Sequence, residues 1–102
     1  MIPYMTLTEF LLARIAEERE SALTRAATSR SLAGQLYPTR AIAACDAKRR
    51  IVERCSPVDL PNDGPDIART AWDAFNVLNK ATLRDLAAIY ADHIDYRDEW
   101  RA

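Results

Sequence analysis

Ile67-Ala-Arg-Thr-Ala-Trp-Asp-Ala-Phe-Asn-Val-Leu-Asn-Lys-Ala-Thr-Leu-Arg-Asp-Leu-Ala-Ala-Ile-Tyr-Ala-Asp-His93 contains neither glycine nor proline. Within it Ile67, Ala71, Phe75, Leu78, Thr82, Leu86, Ile89 and His93 recur at intervals of 4, 4, 3, 4, 4, 3 and 4. That rhythm keeps one face in phase throughout, whereas a half-buried strand would alternate at every second residue. Taken from Asp66, the stretch predicts one α-helix of about 27 residues, roughly 40 Å long. Trp72, Leu83 and Tyr90 flank the ridge on one shoulder. A competing division breaks the helix near Asn79-Lys80 and restarts it with Thr82-x-x-Asp85 as a capping box. The uninterrupted phase favours continuity.

Upstream, Ser56 to Pro65 holds three prolines and one glycine in ten residues. Such a segment forbids helix and disfavours an interior strand, so it reads as an extended connector. Before it, Pro38 suits the first turn of a helix that runs through Thr39 to about Cys55 and is stopped by Ser56-Pro57. Its apolar face is Ala41, Ala44, Cys45, Ile51, Val52 and Cys55. At the other end of the chain, Thr6-x-x-Glu9 has the form of a capping box and starts the first helix. Leu7, Leu11, Leu12, Ile15, Ala22, Leu23 and Ala26 share one side of it, opposite Glu9, Ala13, Glu17 and Glu20. Thr28-Ser-Arg-Ser31 weakens helical propensity and Gly34 can cap, which places the end between Ala27 and Ala33.

A chain of 102 residues with 49% apolar and 28% charged residues has the composition of one soluble domain with a single core. The net charge of −1 conceals an asymmetry: residues 1–55 carry nine Lys/Arg against six Asp/Glu, and residues 56–102 carry five against nine. A near-neutral total argues against a dedicated nucleic-acid binder. Cys45 and Cys55 lie ten residues apart on one expected helix, roughly 15 Å, too far to bridge. Two free thiols, a start without signal-peptide character and no run of the ~18 apolar residues a span needs together predict a cytoplasmic protein.

Three blocks, Phe10-Leu-Leu-Ala-Arg-Ile-Ala-Glu-Glu18, Arg40-Ala-Ile-Ala-Ala-Cys-Asp-Ala-Lys-Arg-Arg-Ile-Val-Glu53 and Tyr90-Ala-Asp-His-Ile-Asp-Tyr-Arg-Asp-Glu-Trp100, resemble domain of unknown function 6221. The resemblance covers about half the chain, with the last block the most specific, and implies a small protein of actinobacteria or their phages. Twelve arginines to two lysines suit a GC-rich genome of that kind. Members of that family often carry a Gly-Pro-Trp segment with strand-like residues after the first helix, and none stands between Ala26 and Tyr37. Their tail commonly reads His-Pro-Asp-Tyr, where this chain has Ile94 in place of the proline. The resemblance implies no enzyme activity, cofactor or catalytic residue.

Two basic residues interrupt the apolar stripes: Lys48, between Cys45 and Val52, and Arg19, between Ile15 and Ala22. An ammonium there must be paired, or its stem must lie along the core with the head in water. The sharper expectation pairs Lys48, Arg49 or Arg19 with Asp92, Asp95, Asp98 and Glu99 of the tail. His93 beside Asp92 and Asp95 is a weak metal or acid–base signal, since no second nitrogen or sulfur ligand stands at a known spacing. Arg50 and Arg54, with Lys48, Arg49 and Arg40, form a basic run able to contact phosphates, yet Asp46 and Glu53 are placed to neutralise part of it. Trp72, Tyr90, Tyr96 and Trp100 read as core and tail anchors that also suit an interface.

The sequence thus predicts an all-α domain: a three-helix bundle with a long C-terminal helix, an extended connector and a docked tail. Helices near 40 Å exceed what one such globule needs, so part of the apolar surface is expected to be shared in a homodimer. No phosphate loop, nucleophile triad or paired-cysteine motif is present. The expected function is a non-enzymatic interaction protein without cofactor, a phage accessory factor acting on a host protein. The alternative is a helix-mediated DNA-associated regulator, and no membrane partner is expected.

Overall fold

A computed structural model describes residues 5–55 and 66–101 of the chain. They form three α-helices, α1 (Leu7–Thr28), α2 (Leu32–Cys55) and α3 (Asp66–Ala88), followed by a 3₁₀ turn at Asp98–Trp100, with no strand among the described residues. The all-α class is therefore correct. The expected Pro-rich connector, Ser56 to Pro65, lies outside the described residues.

α1 begins where the capping box predicts. The Glu9 amide donates to Thr6 Oγ1 at 3.1 Å and the Thr6 amide donates to Glu9 Oε1 at 3.2 Å. It ends at Thr28, and only residues 29–31 separate it from α2, so the two helices form an antiparallel hairpin with the most extensive interface among the described helices.

α2 begins six residues earlier than Pro38 predicts. Pro38 lies inside the helix and is buried. A proline there forfeits one backbone hydrogen bond, to the carbonyl of Gly34, and costs about 3 kcal/mol in an isolated helix. Packing along α1 outweighs that local cost, and the Thr28–Ser31 stretch rather than the proline sets the break.

α3 runs unbroken across Asn79-Lys80. The Thr82 hydroxyl, which the competing division uses as a cap, donates back along the same helix to the Leu78 carbonyl at 3.1 Å. The helix stops at Ala88, after 23 residues rather than 27.

A larger correction concerns which side of α3 is inward. The ridge that decides the sequence reading faces solvent: Phe75 is 64% exposed, Leu78 66% and Ile89 56%. Leu83, Ala87 and Tyr90 are buried instead, with Trp72, Asn76 and Asn79 half-buried on the same line. The line 72, 76, 79, 83, 87, 90 keeps the same 4-3 rhythm about a quarter turn away. Ala87 is fully buried, and without a side chain beyond Cβ it leaves room for the α3 backbone beside the hairpin, which Leu86, its counterpart on the ridge, would fill.

The core joins Phe10, Leu11 and Ile15 of α1, Cys45 and Val52 of α2, and Leu83, Ala87, Tyr90 and Trp100. Phe10 and Arg14 are buried although the predicted apolar face of α1 omits both, and Leu23, included in it, is exposed. α1 is rotated so that the sector from Phe10 through Arg14 to Ile15 points inward.

Candidate functional site

The chain beyond α3 changes pitch. Tyr90 donates its amide to the Ala87 carbonyl at 2.9 Å, His93 to Tyr90 at 3.0 Å, Tyr96 to His93 at 3.0 Å and Trp100 to Arg97 at 3.0 Å. Successive i→i−3 bonds stack side chains three residues apart on one side, and Tyr90, His93 and Tyr96 have that spacing. All three rings, with Trp100, close around Phe10. Their centroids lie 6.3, 5.8, 6.0 and 5.0 Å from the Phe10 ring in that order, the first three edge-to-face. Edge-to-face packing sets a positive ring edge against a negative face and contributes about 0.5–1.5 kcal/mol per pair beyond burial.

Two polar clusters border this aromatic centre. In the first, Arg14 lies 5.4 Å over the Phe10 ring with its side chain only 8% exposed. Its Nη2 donates to Glu17 Oε1 at 2.9 Å. Its Nη1 lies against the His93 ring, 2.8 Å from Nδ1, and 3.5 Å from Asp95 Oδ2. The Asp95 amide also donates to His93 Nδ1, at 3.0 Å. Arg14 thus ties α1 to the chain beyond α3, while its Nε has no acceptor among the described residues.

In the second cluster Glu18 is the hub. Lys48 Nζ donates to Glu18 Oε2 at 3.4 Å and to the Tyr90 hydroxyl at 3.3 Å, and the Cys45 thiol lies 4.0 Å from the same carboxylate. The ammonium also stands 5.5 Å from the Tyr90 ring centroid. Burial first, then the hydrogen bond and negative charge of Glu18, push the Tyr90 phenol well above its ordinary value. Burial likewise raises the Cys45 thiol, helped by Glu18 and opposed by Lys48. Cys45 is therefore held as the thiol, the form that is neither nucleophile nor good metal ligand.

The tail acids do not meet Lys48, Arg49 or Arg19, contrary to the sequence expectation. Lys48 takes Glu18, Arg19 takes Asp46 at 2.9 Å, and Arg49 takes Glu53 on its own helix at 3.0 Å. Asp95 meets Arg14, Asp98 meets Arg101 and Glu99 meets Arg97. Two concavities lie on the surface of the described residues. One, about 340 Å³, runs between α1 and α2 over Leu12, Ile15 and Ala16, crossed by the Arg19–Asp46 pair. The other, about 370 Å³, opens where the start of α1 meets α3 and Trp100. Among the described residues no three His, Cys, Asp or Glu side chains are grouped to hold a metal ion, and no helix is long and apolar enough to cross a membrane.

A family model described as a family of unknown function, DUF6221, matches residues 4–102, nearly the whole chain. The chain belongs to DUF6221. No curated protein and no solved structure matches it.

In this DUF6221 chain the sequence candidates separate into three groups. Lys48, Tyr90, His93, Tyr96 and Trp100 converge on Phe10 and its two polar borders. Arg19 and Arg49 line the α1–α2 groove. Arg50, Arg54 and Asp92 are exposed, and Trp72 is half-buried on α3. Sequence reasoning missed Phe10, Arg14, Glu17 and Glu18. A signal for two of them existed, because Arg14 and Glu18 fall at i+3 and i+7 from Leu11, on the inward side of the helical wheel.

Proposed function

We propose that this chain is a non-enzymatic interaction protein that works as a homodimer, joined along the exposed ridge of α3. The observation that carries the reading is the solvent-facing strip Ala71, Phe75, Leu78, Thr82 and Ile89. By helical periodicity Arg69, Asp73, Lys80 and Arg84 fall across the helix from it, leaving only Asp85 at its edge. Monomeric proteins rarely leave so continuous an apolar strip in water.

A second copy suits the strip because its spacing is nearly the same in both directions. In an antiparallel pairing centred between Leu78 and Asn79, Phe75 of one copy meets Thr82 of the other, and Ala71 meets Leu86. Such a contact is isologous, closes on itself and sets no like charges opposite each other. The role as a phage accessory factor acting on a host protein rests on the family resemblance and on the lack of catalytic motifs in the sequence, and the cytoplasmic location on the two free thiols.

Sedimentation velocity over a concentration series tests the dimer. The native chain is expected to dimerise, and Phe75→Asp with Leu78→Asp to sediment as a folded monomer. A native chain that stays monomeric, or a double variant that still dimerises, refutes the proposal.

The runner-up reading, contact with DNA, has one observation in its favour. Arg50 and Arg54 are exposed on α2 and form no ion pair among the described residues, whereas neighbouring Arg49 is engaged by Glu53. Salt-sensitive retention on DNA that disappears in Arg50→Ala/Arg54→Ala supports that reading over the first.

A further inference from the structure

The concavity of about 370 Å³ beside Trp100 has a composition that the aromatic centre and the α3 ridge do not account for. Its apolar wall is Leu7, Leu83 and Trp100, and its rim carries Lys80 and Arg84, one turn apart on α3. Neither cation is in an ion pair among the described residues. Trp100 is only 7% exposed, and its indole N–H has no acceptor among the described residues. That N–H is not a fully buried donor, so it reaches solvent, where a ligand's acceptor can take the place of water.

The start of α1 forms the remaining wall through Thr6, Leu7 and Thr8. Of the first-turn amides, that of Glu9 is taken by Thr6 Oγ1 and that of Phe10 by the Thr6 carbonyl. Those of Leu7 and Thr8 belong to the set an α-helix leaves without an internal acceptor. The nearest acid on α1, Glu9, already receives the Thr6 amide. Two side-chain cations, an indole N–H and a helix N-terminus therefore border one hollow with an apolar wall, and among the described residues no carboxylate lines it.

We propose that this hollow binds a small organic anion, a carboxylate or phosphate ester joined to an apolar body. Lys80, Arg84 and the first-turn amides of α1 take the charged end, while Leu83 and the Trp100 face take the apolar end. The volume suits a ligand of that size, within the usual range of roughly 300–1,000 Å³ for small-molecule sites. Two cations and a helix N-terminus that line one hollow supply charge-assisted bonds for an anionic end. The site is independent of the proposed dimer, because Lys80 and Arg84 lie across α3 from the Phe75–Leu78 ridge.

Titration of the full chain, with amide and indole N–H resonances observed by NMR, tests the proposal with phenyl phosphate, benzoate, inorganic phosphate and phenol as probes. Phenyl phosphate or benzoate is expected to shift the Trp100 indole and Thr8 amide signals saturably. Inorganic phosphate, which offers only the charge, and phenol, which offers only the ring, are each expected to bind at least about tenfold more weakly. Lys80→Ala/Arg84→Ala changes two exposed side chains and is expected to keep the native spectrum while losing about tenfold or more in affinity. Arg50→Ala/Arg54→Ala, an equal loss of charge elsewhere, is expected to leave the titration unchanged. Absence of a saturable shift at Trp100, or equal affinity in the Lys80→Ala/Arg84→Ala variant, overturns the site. Equal loss in the Arg50→Ala/Arg54→Ala control also overturns it, by showing that only net charge is being read.

Discussion

Phe10 is the residue on which the interior converges, because four rings from a segment some eighty positions away enclose it. Phe10→Ala is expected to cost about 3–5 kcal/mol in urea denaturation, the range for a fully buried phenylalanine. Leu23→Ala, at an exposed position of the same helix, is expected to stay within about 0.5 kcal/mol. Tyr90 supplies a second residue-level outcome. Its phenol is raised above the ordinary 10.0, and the Cys45 thiol above 9.0. The folded state therefore retains protons that the unfolded chain releases, so the stability contributed by both groups is complete below about pH 9 and falls as pH rises further. Urea titrations from neutral to alkaline pH are expected to show that fall in the native chain. Tyr90→Phe, which cannot ionise, is expected to show a shallower fall above about pH 10.

Each helix combines a local signal with a tertiary decision. Thr6 and Glu9 specify the start of α1 by a reciprocal pair of short-range bonds, so that boundary is readable from four residues. Thr6→Ala is expected to cost about 1 kcal/mol by thermal or urea unfolding, with most of the loss restored in Thr6→Ser. The start of α2 was not readable in the same way. Pro38 is a strong local breaker, yet the helix continues through it because Pro38 is buried and the hairpin with α1 offsets the lost bond. α3 shows the limit of periodicity most clearly. Its 4-3 rhythm correctly predicts an unbroken helix, but two lines on that helix share the rhythm, and their hydrophobicity favours the one left in water. Close approach, allowed by Ala87, selects the other. The last residues before His93 leave the α-helix because i→i−3 turns align Tyr90, His93 and Tyr96 over Phe10.

At the scale of the whole molecule, the exposed ridge that contradicts the sequence reading of the core becomes the strongest support for self-association. If two copies share it, the melting temperature of the native chain rises with protein concentration. That of Phe75→Asp/Leu78→Asp stays constant, since its folded state no longer gains from mass action. The same comparison separates the ridge from the anion hollow, whose ligand stabilises both proteins.

The sequence by itself determined the helical class, the cap of α1 and the continuity of α3 past Asn79, because these depend on contacts or propensities within a few residues. It also showed that Tyr90, His93, Tyr96 and Trp100 form an unusual segment, without their destination. Only the tertiary structure decided which line of α3 is buried, that Phe10 is the hub, and that Lys48 and Arg14 find Glu18, Glu17, His93 and Asp95 rather than the partners charge alone suggests. Those outcomes depend on helix rotation and on the distance of approach between helices, which side-chain volumes across the whole core set together and no local pattern encodes.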